Sequence, residues 1–361
     1  MSELDWFRVV GGLILLLGGA ELLVRGSSRI AAVLGIPPVI IGLTVVAFGT
    51  SAPELAVSLS GALHGNGGND ISLGNVVGSN IVNILLILGL SAAITPLAVT
   101  RRLIRTDVPI MVGLSLLIWV LGLNQHLDTW EGWLLVILLA AYLASCFLRE
   151  RHEKPVADGA AVPPPRQGIL LNIVLTIAGL GLLIVGADLL VNGATSVARA
   201  LGISELIIGL TVVAGGTSLP ELATSALAAV RGERDIAVGN IVGSNIFNIL
   251  AVLGFSAAIA PGGLAISPAA LGVDLPVMIA AAVACLPIFF SDYRISRPEG
   301  ILFLFYYLLY ILYLFLASTH HDALPVFNTI LWFVVVPLTL LALATSLIRS
   351  LMFHHREGHH R

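Results

Sequence analysis

The sequence predicts an all-α polytopic membrane protein: ten spanning helices in two inverted repeats of five, followed by an additional C-terminal spanning helix. Three observations carry this prediction. The 361 residues are 57% hydrophobic and only 11% charged, with a mean hydropathy of +1.00, whereas a soluble domain is nearer half apolar and about a quarter charged. One long stretch occurs twice. The basic residues fall almost entirely on one side of the alternation that the apolar segments define.

Eleven apolar segments can be drawn, at about 7–29, 37–63, 71–97, 106–124, 130–148, 169–199, 205–229, 236–260, 270–290, 300–317 and 324–351. Most approach or exceed the roughly 20 residues that cross a bilayer as a helix. The first lacks a basic leader and reads as a spanning helix, not a cleavable signal. The longest polar stretch, Arg149 to Gln167, holds RERHEK and a PPP run and is too polar and Pro-rich to pack. The expected organisation is a first repeat at 1–148, a cytoplasmic linker at 149–168, a second repeat at 169–317, and an extra helix with a cytoplasmic tail at 318–361. With the N-terminus outside, the inside loops hold 16 of the 18 Lys and Arg residues; only Arg8 and Arg199 fall outside. That is the positive-inside bias, and it places the C-terminus in the cytoplasm. Cys146 and Cys285 both sit in apolar runs and read as small hydrophobes, not a disulfide. All nine His lie in loops or the tail, so none is assigned to a site. The net charge of −3 is carried in loops and says little about partners; the bilayer and small cations are the expected ones, and nucleic acid is not.

The repeat is specific. IIGLTVVAFGTSAPELAVSL (40–59) and IIGLTVVAGGTSLPELATSA (207–226) share 16 of 20 positions at an offset of 167. GNVVGSNIVNILLILGLSAAI (74–94) and GNIVGSNIFNILAVLGFSAAI (239–259) share 16 of 21 at an offset of 165. GAELLVRG matches GADLLVNG, Asp107-Val-Pro matches Asp274-Leu-Pro, and Glu131-Gly matches Glu299-Gly. Five helices per half is an odd number, so the second half enters the membrane upside down. Inverted repeats with a site at their interface are a recurring transporter architecture.

The repeated chemistry is a carboxylate in an apolar segment. Glu54 and Glu221 each follow Gly-Thr-Ser-x-Pro, and an acid near the bilayer centre costs about 2.5–3.5 kcal/mol even on the mild insertion scale. Pro53 and Pro220 remove a backbone donor and clash with the preceding turn. The break is expected to free carbonyls around Ala47 and Ala214. Irregular backbone at membrane depth is tolerated where it is buried or lines a wet cavity. Carboxylates, the hydroxyls of Thr50, Ser51, Thr217 and Ser218, and loose carbonyls make an oxygen cluster. Ca²⁺ takes about six to eight such oxygens and accepts irregular geometry. Two ionised Glu would balance one Ca²⁺, or host Na⁺ or protons in turn. Asn75, Ser79 and Asn83, and likewise Asn240, Ser244 and Asn248, form polar stripes at i, i+4, i+8. Gly74 and Gly78, with Gly239 and Gly243, run beside these stripes and admit a close helix. The bland alternative for the stripes is interhelical hydrogen bonding, more so for Asn75, Asn80, Asn240 and Asn245 than for Asn83 and Asn248. Glu21 is expected to pair with Arg25 at i+4, and Asp107 and Asp274 read as helix caps.

GTSAPEL, GTSLPEL and the two GSNI–N segments resemble the sodium/calcium exchanger family, within the cation/calcium antiporter superfamily, in its compact prokaryotic form. The likeness covers about residues 5–317. It implies an antiporter and not an enzyme, with no cofactor beyond its transported Na⁺ and Ca²⁺, in the plasma (inner) membrane. Glu54 and Glu221 would be the principal Ca²⁺ ligands, completed by Thr50 and Thr217, largely through their carbonyls. Ser51, Ser218, Ser79, Ser244 and the carbonyls of Ala47 and Ala214 would line flanking Na⁺ sites. The long helices 7–29 and 169–199 would slide over the others. Family members often carry Asp where this chain has Asn83 and Asn248, which leaves two formal charges and argues against potassium dependence. A proton/calcium antiporter on the same scaffold and a cation channel stay open as alternatives, as does pairing of protomers into a homo-oligomer. An intramembrane hydrolase is disfavoured, because no His or Asp lies near Ser51 or Ser218 in sequence to activate a nucleophile.

Overall fold

The structure is a computed structural model that describes residues 3–64, 68–150, 169–201, 215–290, 293–337, 339 and 341. Its helices are α1 (Glu3–Leu34), α2 (Pro38–Thr50), α3 (Ala52–His64), α4 (Ser72–Ile94), α5 (Leu103–Asn124), α6 (Thr129–Glu150), α7 (Ile169–Ala200), α8 (Leu219–Arg231), α9 (Arg234–Ile259), α10 (Ala270–Phe290), α11 (Arg297–Ser318) and α12 (Leu324–Ile330). Among the described residues, eight helices are long and apolar enough to cross a membrane, and α2 with α3 makes a ninth span bent by 46°. The expected segments at 205–229 and 324–351 lie partly outside the described residues. Helix α1 runs five residues past its expected end. It stops where Gly35 adopts φ +67, a left-handed cap that glycine takes without a Cβ penalty.

Helices α1 and α7 are joined by glycines. Gly12, Gly19 and Gly26 recur every seven residues, as do Gly179, Gly186 and Gly193. A Cβ on Gly12 would lie 2.6 Å from the Leu190 nitrogen; one on Gly19 would lie 2.8 Å from the Gly179 oxygen; one on Gly186 would lie 2.6 Å from the Leu16 nitrogen. The two backbones therefore touch directly, the close approach that small residues permit between membrane helices. Gly11, Gly18 and Gly181 on the same helices have nothing within 4 Å.

At the centre lies α9, whose spanning window is completely buried. Gly239 and Gly243 bring it against α2: a Cβ there would sit 2.7 Å from the Val39 and Leu43 carbonyls respectively. The glycine seam expected from sequence is thus used. Gly74 and Gly78 have nothing within 4 Å among the described residues.

Two short antiparallel ladders tie early and late parts of the chain. β1 (Leu97–Ala98) pairs with β4 (Arg294–Ile295), and β2 (His126–Leu127) pairs with β3 (Leu264–Ala265). The helix starts beside them are capped alike. Glu131 accepts from the Asp128 backbone N–H at 2.8 Å, and Glu299 from the Ser296 N–H at 2.7 Å, which satisfies donors that every helix start leaves orphaned. The glycines that follow allow crossed packing: Gly132 abuts the backbone of Ala257 and Ala258, and Gly300 abuts Gly89 and Ala93.

Two expectations change here. Asp107 and Asp274 make no side-chain cap. Asp107 is buried, accepts from the Tyr142 hydroxyl at 3.3 Å and lies 3.5 Å from the Arg102 Nε. Asp274 accepts from the Tyr310 hydroxyl at 3.0 Å. Each Asp thus accepts from a Tyr on another helix. Glu21 does pair with Arg25, but it also takes Arg231 from α8, at 2.8 Å and 3.0 Å.

Candidate functional site

The site forms where α2 breaks. Pro53 has no N–H, so the helix cannot run on straight, and Ser51 sits at the bend with φ −82 and ψ 7. Ser218 occupies the same conformation, φ −87 and ψ 7, immediately before α8. The first turn after each bend carries its Glu, Glu54 in α3 and Glu221 in α8, next to a helix N-terminus that favours negative charge. The break does not leave the Ala47 carbonyl free: it accepts from the Ser51 N–H at 3.0 Å and has the Thr50 hydroxyl at 3.4 Å. Ala214 lies outside the described residues.

Glu54 and Glu221 are fully buried, and each is held by the opposite half of the sequence. Ser218 donates to Glu54 Oε1 at 3.2 Å, and Ser51 donates to Glu221 Oε1 at 3.0 Å. No ion pair reaches either one among the described residues, and no cluster of three or more His, Cys, Asp or Glu occurs there. The second oxygen of each carboxylate, Oε2, is buried without a hydrogen-bond partner among the described residues. The same holds for the hydroxyls of Ser79 and Ser244, for both amide atoms of Asn83 and for Oδ1 of Asn248. Buried polar atoms are normally paired, and each exception needs an explanation. Here the exceptions cluster in the repeated motifs, which is the donor set a hard cation seeks.

The stripes divide only in part as expected: Asn248 also makes an interhelical bond. The Asn248 amide donates to Asn80 Oδ1 at 3.0 Å, Asn80 donates to the Asn245 carbonyl at 3.3 Å, and Asn245 donates to the Ile241 carbonyl at 3.0 Å. Asn80 and Asn248 therefore join α4 to α9, whereas the Asn245 side chain bonds back within its own helix. Asn75 and Asn240 are likewise committed to protein partners, and Thr50 and Thr217 use their hydroxyls on those same asparagines. Sequence reasoning did not find these crossed contacts, since nothing in the spacing says which Thr faces which Asn. Helix α4 passes through a π-helical stretch at Val82–Leu88, and α9 through one at Asn248–Leu253. Such bulges in helices gather at functional sites. A cavity of about 270 Å³, walled by Val82, Leu86, Leu190, Leu222 and Tyr307, reaches Ser218.

This combination of many apolar spans and a buried, unpaired acid pair defines a multi-pass membrane transporter. The model of the family described as "Sodium/calcium exchanger protein" matches residues 4–148 and 171–316, and the chain belongs to that family. A putative antiporter CaxA from Alkalimonas amylolytica is 43% identical over 304 residues, 82% of this chain and 94% of that protein. The sodium/calcium exchanger MaX1 of Methanosarcina acetivorans is 33% identical over 352 residues, 87% of this chain and 99% of that one. A solved structure of the sodium-calcium exchanger NCX_Mj superposes with a TM-score of 0.75 at 34% identity, covering 86% of this chain and 99% of that one.

Proposed function

We propose that this protein is a secondary active antiporter that exchanges Na⁺ for Ca²⁺ across the cell's plasma membrane by alternating access. The observation that carries the reading is the oxygen on each buried carboxylate that has no partner among the described residues, set among serine and asparagine atoms that likewise have none there. Glu54 and Glu221 balance one Ca²⁺, or release it to Na⁺, because a site with two charges cannot neutralise both loads at once. Thr50 and Thr217 complete the Ca²⁺ shell through their carbonyls. Ser51, Ser218, Ser79, Ser244, Asn83, Asn248, and the Ala47 and Ala214 carbonyls line the flanking Na⁺ positions. In this reading residues 1–148 and 169–317 are inverted five-helix repeats, 149–168 is a cytoplasmic linker and 318–361 is an eleventh helix with its tail. The N-terminus faces outward and the C-terminus inward. The crossed contacts support the inversion: Ser51–Glu221 and Ser218–Glu54 exchange partners between matched positions.

The test is Ca²⁺ uptake into proteoliposomes preloaded with Na⁺, K⁺ or acid. Uptake driven by outward Na⁺, and responsive to imposed voltage, is expected. Uptake driven by a proton gradient alone would make the protein a proton/calcium antiporter, a reading favoured by two buried carboxyl groups with no ion-pair partner among the described residues. Uptake with no counter-gradient would mean a channel. Asn83→Asp should shift the ratio of half-saturating Na⁺ to Ca²⁺ about tenfold or more, since a new charge about 4 Å from a cation changes its energy by about 4 kcal/mol at an effective dielectric of about 20. An unchanged ratio would place the stripe outside the site.

A further inference from the structure

Two matched hydrogen-bond relays run between the halves. In one, the Asn75 amide nitrogen donates to the Ser58 hydroxyl at 2.9 Å and to the Glu54 main-chain carbonyl at 3.1 Å, while Asn75 Oδ1 accepts from the Thr217 hydroxyl at 3.3 Å. In the other, the Asn240 amide nitrogen donates to the Ser225 hydroxyl at 2.9 Å, while Asn240 Oδ1 accepts from the Thr50 hydroxyl at 3.1 Å. Ser58 and Ser225 stand 167 apart, Asn75 and Asn240 stand 165 apart, and Thr50 and Thr217 stand 167 apart, the offsets of the repeat itself. Each Asn thus grips the Glu-bearing helix of its own half with one end and the Thr of the other half with the opposite end.

The residue type follows from the partners. Asn75 must donate to a carbonyl and a hydroxyl on one side and accept on the other, which an amide does and a carboxylate cannot. The acceptors around Nδ2 also fix the direction of the amide. The Thr50 hydroxyl has the Val46 carbonyl at 3.1 Å as well, so its single hydrogen is shared between that back-bond and Asn240. We propose that Asn75 and Asn240 are positioning residues. They do not ligate the cation; each holds the opposite half's Thr in register with its own half's Glu, so that the ligands of the two halves form one shell.

The proposal rests on the cation-site reading above, and its test is therefore direct Ca²⁺ binding to the purified full-length protein by calorimetry, with no counter-ion gradient. Asn75→Ala should weaken Ca²⁺ binding about tenfold, about 1.4 kcal/mol, as should Thr217→Val. The double variant should be no weaker than either single one, because both cut the same relay; contacting residues couple in this way and separated ones do not. Asn75→Ala combined with Thr50→Val cuts both relays, and the losses should multiply to about a hundredfold. Thr217→Ser keeps the hydroxyl and should restore binding to within about twofold. A merely structural role would lower every variant's melting temperature without this pattern of coupling. If the losses from Asn75→Ala and Thr217→Val multiply, or if Thr217→Ser binds no better than Thr217→Val, the relay is overturned. Should Asn75→Ala fail to fold, the Asn240 and Thr50 pair carries the same cycle. A wild-type protein that binds no Ca²⁺ would overturn the site reading itself, an outcome distinct from failure of the coupling.

Discussion

Glu54→Gln and Glu221→Gln should each reduce Ca²⁺ transport by roughly a thousandfold while leaving the protein folded. Glutamine keeps the shape and one acceptor oxygen, so Ser218 and Ser51 retain their hydrogen bonds to positions 54 and 221. What disappears is one of two negative charges in a site that no basic side chain reaches among the described residues. At about 4 Å and an effective dielectric of about 20, one unit-charge pair contributes about 4 kcal/mol, and every 1.4 kcal/mol or so is tenfold. Removing a charge that is buried without an ion-pair partner among the described residues also removes its desolvation cost, so the melting temperature should hold or rise. Flux assays on reconstituted protein, with thermal melts on the same preparations, check both halves of the prediction. Wild-type flux in both variants would remove these residues from the site.

The second large effect belongs to the α1–α7 seam. Gly186→Val should destabilise the protein by about 3 kcal/mol or more, at the upper end of what overpacking costs. Its Cβ would fall 2.6 Å from the Leu16 nitrogen and 2.9 Å from the Gly12 oxygen, and backbone, unlike a side-chain tip, has no rotamer to yield. The helices would have to part along a face they share over most of their length. Gly18→Val is the control, because nothing lies within 4 Å of that position and valine is the better helix former of the two. The melting temperature should drop by roughly 5 °C or more for Gly186→Val and stay level for Gly18→Val. Equal behaviour would mean that the seam is loose.

The contrast between these positions shows what the sequence makes legible. The spans, the buried acids and the duplicated motifs are readable because apolar runs and exact repeats are signals carried along the chain. The glycines at every seventh residue were equally present in the text, but three glycines in a glycine-rich membrane chain mean little until their partners are known. The pairings across the repeat were not readable at all. Which serine reaches Glu54, and that Tyr142 and Tyr310 rather than backbone N–H groups meet Asp107 and Asp274, depend on contacts between segments far apart in sequence. The two-residue ladders are too short to show any alternation. Arg231 reads as an ordinary inside-loop charge until its contact with Glu21 appears.

The crossed partners also set an order of events when the chain is made. Ser218 lies 164 residues beyond Glu54, and Glu221 lies 170 beyond Ser51. At roughly 5–20 residues per second, about 10–30 s separate the synthesis of Glu54 from that of its partner. During that interval the first acid resides in the nascent chain with neither its serine nor the second acid. The proposed ion pocket is therefore a late product of folding, and the segments of the first half must reach the membrane and wait there without it.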